Sequence, residues 1–361
     1  MGGPHPNDPA ARSRAPAADR VALGDGHLYL WFPDPCLSER ALRALQVNGA
    51  TARPSASCLR IAIEAGELGP RVLDVGSVLE DQESRQARAL FLGGGRAPVV
   101  DDLGRVVPFR ELYASAQTSW LLEQFEQGRV TSHFHRIVHT GDTSRIFAHE
   151  ALLRGRGWGG AQLEPLAILQ FAREAGQLEQ LDLAACCCAI QEASGLEPGS
   201  TVFVNFSPAM MENADRCLRS TLNAVRSAGL TPDRFVFEVI EADRIDDDRH
   251  LKSVLDRYRG DGFRVALDDM GAGWSTLNLV HRLRPDFIKL DRELIRDIDT
   301  DRVKDLIATK LLEIGRGLGI RTIVEGVETP AELQWARSRG ADFVQGFLIA
   351  RPEPSPGHRP G

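Results

Sequence analysis

The chain has 361 residues, 43% of them apolar and 26% charged, proportions of an ordinary soluble globular protein with room for one barrel-sized domain and a smaller companion. Its formal net charge is −7, and no basic block offsets it, which argues against a DNA-binding protein. No apolar run approaches the roughly 20 residues of a membrane span.

Residues 1–20, "MGGPHPNDPAARSRAPAADR", lack the apolar core of a signal peptide and read as a disordered tail. Residues 21–107 read as a small α/β domain, possible seat of regulation and of a protein partner. In it "HLYLWF" is a strand, "LSERALRAL" a helix, "CLRIAIEAG" a strand and "DQESRQARALF" a helix, before the Gly-rich turns of "LGGGRAP". Residues 108–128, with Leu112, Ala116, Trp120, Leu121 and Phe125 at helical spacing, form a connecting helix; a plain packing helix and a signalling lever both fit it. Cys186, Cys187 and Cys188 are consecutive. Side chains so placed leave a helix in different directions and cannot together face one metal, so they read as apolar filler in a reducing compartment, the cytoplasm.

From residue 129 to 353 the chain alternates. Strand candidates are "HFHRIVH", "IFAHEALLR", "TVFVNFSP", "FVFEVIE", "RVALDD", "FIKLD", "RTIVEGV" and "FVQGFL". Helical stretches such as "STLNLVHRL" and "PAELQWARSRG" separate them. That cadence predicts a TIM-like (β/α)8 barrel, with residues 354–361 as a C-terminal tail. An open doubly wound sheet is the alternative, but it calls for a glycine-rich phosphate loop after an early strand, and none is present.

In a barrel the C-terminal ends of the strands converge on one mouth. Read in order they carry Glu150, Asn205, Glu238, the pair Asp268 and Asp269, Lys289, Glu325 and Gln345. Two adjacent carboxylates at the end of an apolar run repel each other and need a counter-charge. A set made of carboxylates and a carboxamide selects hard cations, Mg²⁺ or Mn²⁺, over zinc. More acids than one ion requires suggests two metals per site, bridged by an aspartate of the pair, the machinery for attack of water on a phosphodiester. Lys289 would orient or deprotonate the water, or balance phosphoryl charge.

The motifs "HEALLRG", "FVNFSP", "FEVIE", "DDMGAG", "FIKLD", "VEGVET" and "ADFVQGFLIARP" resemble, in order and spacing, those of the EAL-domain phosphodiesterases of bacterial cyclic di-GMP. The resemblance covers residues 129–353. It implies a modified TIM barrel with one antiparallel strand, and hydrolysis of cyclic di-GMP to linear pGpG. It also implies Glu150, Asn205, Glu238 and Asp268 as metal ligands with Asp269 beside them, and Lys289, Glu325 and Gln345 around the water and the metal shell. Arg154 would meet a substrate phosphate through its planar fork, with Leu152 and His135 also at the substrate. Glu241 would steady the loop after the paired aspartates and Glu328 would support Glu325. A homodimer is expected.

Four positions depart from the family pattern. His135 stands where a guanine-reading glutamine is usual. Met270 and Trp274 replace an aromatic and a tyrosine in the loop, and Ile240 replaces a threonine. None removes a metal ligand. The alternative function is a weak or inactive EAL domain that acts as a cyclic di-GMP receptor or interaction module. No diguanylate-cyclase motif (Gly-Gly-Asp/Glu-Glu-Phe) is present.

Overall fold

The structure, a computed structural model, describes residues 25–54, 58–94, 96–126, 131–158, 160, 162–239, 247–271 and 276–356. The expected N-terminal tail, the last five residues, Ile240, Glu241 and Trp274 lie outside the described residues. In chain order the elements are β1 (Gly26–Trp31), α1 (Pro35–Val47), β2 (Ala52–Pro54), β3 (Leu59–Ile63), α2 (Leu68–Gly76), α3 (Asp81–Gln86), β4 (Arg88–Gly93), β5 (Val107–Pro108) and α4 (Phe109–Glu126). There follow β6 (Thr131–His139), β7 (Ile146–Arg156), β8 (Gln162–Leu163), α5 (Pro165–Glu174), α6 (Leu178–Glu192), β9 (Thr201–Phe206), α7 (Ala214–Ser227), β10 (Phe235–Val239), α8 (Asp248–Gly260) and β11 (Arg264–Met270). The last are α9 (Thr276–Leu283), β12 (Phe287–Leu290), α10 (Arg292–Ile295), α11 (Arg302–Leu318), β13 (Arg321–Val324), α12 (Pro330–Arg339), β14 (Phe343–Val344) and β15 (Glu353–Pro354). Two compact units result: residues 1–127 with 155–181, and residues 128–154 with 182–361.

The first unit is built on an antiparallel sheet of order β2-β3-β1-β4-β5. Side chains alternate across a strand, so Leu28 and Leu30 of β1, Leu59, Ile61 and Ile63 of β3 and Ala89 of β4 share one face. They pack there with Ala41 and Leu45 of α1, Val72 and Leu73 of α2, and Phe109 and Leu112 of α4. The helix expected over "DQESRQARALF" is corrected. It stops at Gln86, and Ala87 turns extended (φ −62, ψ 149) into β4. Ala89 points inward while Leu90 and Leu92 are buried on the opposite face, so the strand reads as an unbroken apolar run in which the period of two is hidden. Arg110 of α4 pairs with Glu174 of α5 at 2.5 Å and with Asp81 at 2.9 Å, its guanidinium 4.7 Å over the Phe171 ring.

The second unit is a closed barrel in which each strand pairs with the next in the order β6-β7-β9-β10-β11-β12-β13-β14 and β14 returns to β6. β6 is antiparallel to both its neighbours and the other barrel strands run parallel, as the family resemblance implies. One apolar residue from each strand fills the interior: Ile137, Ala148, Phe203, Val236, Ala266, Phe287, Ile323 and Phe343. The helices outside are set by local chemistry. Thr329 caps α12 in a capping box with Glu332, Pro330 occupies its first turn, and Gly340 ends it in the left-handed region (φ 73). Cys186 and Cys217 lie in the large core cluster between barrel and helices. Among the described residues no helix is long and apolar enough to cross a membrane.

Candidate active site

The interior apolar ring fixes where the polar groups fall. Two residues further along a parallel strand is the same face one step nearer the C-terminal mouth. That step takes Ala148 to Glu150, Phe203 to Asn205, Val236 to Glu238, Ala266 to Asp268, Phe287 to Lys289, Ile323 to Glu325 and Phe343 to Gln345. On the antiparallel β6 the step runs backwards, from Ile137 to His135. The register agrees, since His135 faces Glu150 and Asn205 faces Glu238.

Lys289 is the charge centre of this ring. Its fully buried Nζ lies 2.6 Å from Glu325, 3.0 Å from Glu238, 3.1 Å from Asp268 and 3.3 Å from Glu150. Gln345 donates to the other oxygen of Glu150 at 2.7 Å. Burial opposes the ammonium charge, but the four carboxylates outweigh it and hold Lys289 well above the usual lysine range. Burial, then the crowd of neighbouring acids, pushes Glu238 and Glu325 well up against the pull of Lys289. At Glu150 burial also works against ionisation, yet Lys289 and Gln345 prevail and the carboxyl is held below its ordinary value.

The paired aspartates need a further device, because neighbours on a regular strand point to opposite faces. The β11 register with β12 shifts between Leu267 and Met270, and Asp269 takes a left-handed backbone (φ 53), which aspartate tolerates better than most residues. This irregularity brings Asp269 to the same site as Asp268. Burial, then Asp268 and Asp291, raises the Asp269 carboxyl to about 6. Asp291, which also caps α10 through its bond to the Glu293 amide, is an acid of the site that the strand-end reading missed. Its position directly after "FIKL" was the available signal.

Two carboxylate sets have ligand atoms within 4.8 Å of one another: Glu150, Glu238 and Asp268, and Asp268, Asp269 and Glu325. Asp268 belongs to both. Although Lys289 is close, neither oxygen of the fully buried Glu238 receives a hydrogen bond. Unsatisfied buried carboxylate oxygens in an all-oxygen set fit hard divalent cations.

Other expected residues fall as follows. Leu152 and Arg154 lie beyond Glu150 on the same face of β7 at steps of two, and Arg154 donates to the Leu153 carbonyl at 2.8 Å. His135 is buried, its Nε2 donating to the Ala350 carbonyl at 2.9 Å. Glu328 is exposed, and its amide, rather than its carboxylate, is engaged, donating to Glu332; among the described residues no hydrogen bond joins it to Glu325. Met270 is buried in the main core.

Comparison with known proteins completes the picture. The family model described as EAL domain matches residues 118–352. The chain belongs to the EAL-domain family. It is 27% identical over 278 residues to "Probable cyclic di-GMP phosphodiesterase PdeN" of Escherichia coli, covering 74% of this chain and 51% of that protein. It is 29% identical over 219 residues to the E. coli "Blue light- and temperature-regulated antirepressor BluF", covering 60% of this chain and 53% of that one. The EAL chain thus spans at most about half the length of the first curated relatives it matches. Among solved structures it resembles a standalone EAL protein from Vibrio cholerae in its c-di-GMP-bound form, at 31% identity and TM-score 0.55, covering 62% of this chain and 92% of that one.

Proposed function

We propose that this EAL protein hydrolyses one phosphodiester of cyclic di-GMP to give linear pGpG. The observation that carries the reading is the ring of four carboxylates from four strands around buried Lys289, with both oxygens of Glu238 left without hydrogen bonds. Glu150, Asn205, Glu238 and Asp268, with Asp269 beside them, would hold two divalent cations, Mg²⁺ or Mn²⁺. When bound, these supply the Lewis acidity that makes water nucleophilic at neutral pH and neutralise the phosphoryl oxygens. Lys289, Glu325 and Gln345 position the attacking water. As its oxygen bonds to phosphorus, the bond from phosphorus to one ribose oxygen breaks, and that oxygen takes up a proton. Arg154 presents its planar fork to a phosphate oxygen, and Leu152 and His135 border the substrate. Glu241 keeps its supporting role on the strength of the motif match, whereas Glu328 rests on that match alone, since no hydrogen bond joins it to Glu325 among the described residues.

Incubation with cyclic di-GMP and Mg²⁺ or Mn²⁺, with products resolved by chromatography, tests the proposal. Linear pGpG supports it. Binding without turnover at every divalent ion would instead mark a receptor. Ca²⁺ is expected to support binding but little hydrolysis, because it is larger and takes more ligands at longer distances. Turnover in Ca²⁺ equal to that in Mg²⁺ would count against the metal assignment.

His135→Gln is expected to lower KM or leave it unchanged, with kcat within about two-fold, since a carboxamide offers more donors to a guanine edge than one imidazole. If the ring serves only to anchor Ala350, the melting temperature falls and KM stays put. A large fall in kcat at unchanged KM would overturn both roles.

A homodimer is part of the same reading. Val303, Leu306, Ile307, Ile314 and Leu318 of α11 are exposed at helical spacing, a second apolar stripe that adjoins the buried one formed by Ala308, Leu311, Leu312 and Gly315. A C2 pairing of that helix with its copy would cover it. A protein partner engaging the N-terminal unit, and a cytoplasmic location, also belong to this proposal.

A further inference from the structure

The sheet of the first unit has a second face, turned away from α1 and α2, and it is unlike the rest of the unit's surface. Tyr29 and Trp31 of β1, Arg60 of β3 and Arg53 of β2 project from it. The two rings lie 6.3 Å apart at an interplanar angle of 25° and form an aromatic shelf. A cavity of about 570 Å³ opens beside them, lined also by Cys58 and Pro98. A second cavity of about 310 Å³ shares Trp31 and Pro98 with it and continues over Leu90, Leu103 and Val106. Volumes of this order suit a small organic ligand.

The charges say which kind. Arg53 and Arg60 are direct partners across β2 and β3, where like charges destabilise a sheet. Arg40, Arg71, Arg85, Arg96, Arg105 and Arg110 of the same unit each have a carboxylate partner. Arg53 and Arg60 have no ion pair or hydrogen bond among the described residues. The acid nearest the cavities, Asp102, is already held by Arg96 at 2.5 Å and by Arg105 at 3.4 Å, and the Arg96 guanidinium keeps its carboxyl far below the usual range. The Tyr29 hydroxyl is spent on the Arg96 carbonyl, which leaves its ring to the cavity. The chain's own N-terminal residues 1–24 do not complement this face, since they carry three arginines against two aspartates.

We propose that this face of the N-terminal sheet is a binding site for a small amphipathic anion, its apolar body over Trp31, Leu103 and Val106 and its charged head between Arg53 and Arg60. Such a ligand would relieve the repulsion of the opposed arginines while covering the apolar floor.

The test uses the full chain and the aromatic sulfonate 1-anilinonaphthalene-8-sulfonate as probe, read by its fluorescence. The double variant Arg53→Gln/Arg60→Gln is expected to weaken binding at least about ten-fold, and Trp31→Ala to weaken it similarly. The uncharged analogue N-phenyl-1-naphthylamine should bind the arginine variant as it binds the wild type. If the double variant loses its melting transition, exposed Arg53→Gln alone is read, with about a three-fold loss expected. Sulfonate affinity unchanged in the folded arginine variants would overturn the proposal. So would displacement of the probe by saturating cyclic di-GMP with Ca²⁺, which would place it at the barrel mouth. Because the probe's affinity does not depend on turnover, a failure here is distinct from a failure of the phosphodiesterase reading.

Discussion

Replacing Glu150 with alanine is expected to abolish turnover in Mg²⁺, by at least about three orders of magnitude, or ~4 kcal/mol of transition-state stabilisation. Glu150 sits at a junction. One of its oxygens faces Lys289 at 3.3 Å and the other accepts from Gln345 at 2.7 Å, and the residue belongs to the carboxylate set with Glu238 and Asp268. Its removal takes a full charge from the proposed metal site and frees the Gln345 carboxamide at the same stroke. The fold should survive, because the ring that fills the barrel interior lies one layer below and ends at Ala148 on this strand. The check is kcat alongside the melting temperature. Wild-type kcat in a folded Glu150→Ala protein would sink the metal assignment.

Lys289→Met should damage both activity and stability, and the second effect is the more informative. Without the ammonium, Glu150, Glu238, Asp268 and Glu325 crowd a buried space with nothing of opposite sign. Breaking a buried ion pair by removing one partner typically costs about 3–5 kcal/mol, which for a unit of this size is on the order of 10 °C in melting temperature. Divalent cations should raise the melting temperature of the variant more than that of the wild type, since the ions replace the missing charge. The pH dependence has a definite sign. Glu238 and Glu325 are already pushed above the ordinary carboxyl range and rise further without Lys289. Carboxyls with raised folded-state values bind protons more tightly when folded, so the variant's deficit should narrow as the pH falls through that range. Thermal melts with and without Mg²⁺ at several pH values decide it. A variant as stable as the wild type, and indifferent to metal, would show that Lys289 is not the counter-charge of this site.

Much of this site is legible in the sequence. Backbone sterics force side chains to alternate along a strand, so "VALD" or "FIK" carries its own inside and outside, and the polar residue two steps past an apolar one had to emerge on the interior face. The alternation of such strands with helices carried the barrel, and the motifs carried the family. Where both faces of a strand are buried the alternation disappears from the sequence, and β4 accordingly reads as the continuation of a helix. Other matters depended on residues far apart in the chain. That Lys289 is the centre of four carboxylates, one of them 139 positions away, and that Gln345 reaches Glu150 across 195 positions, follow only from closure of the barrel through β14 and β6. The turn of Asp269 into the site beside Asp268 came from a register shift against β12, and the grouping of residues 155–181 with the first unit came from packing such as Arg110 on Glu174 and Phe171. Local periodicity is written by sterics into each short segment. The meeting of charges is decided by which segments become neighbours, and that only the folded chain determines.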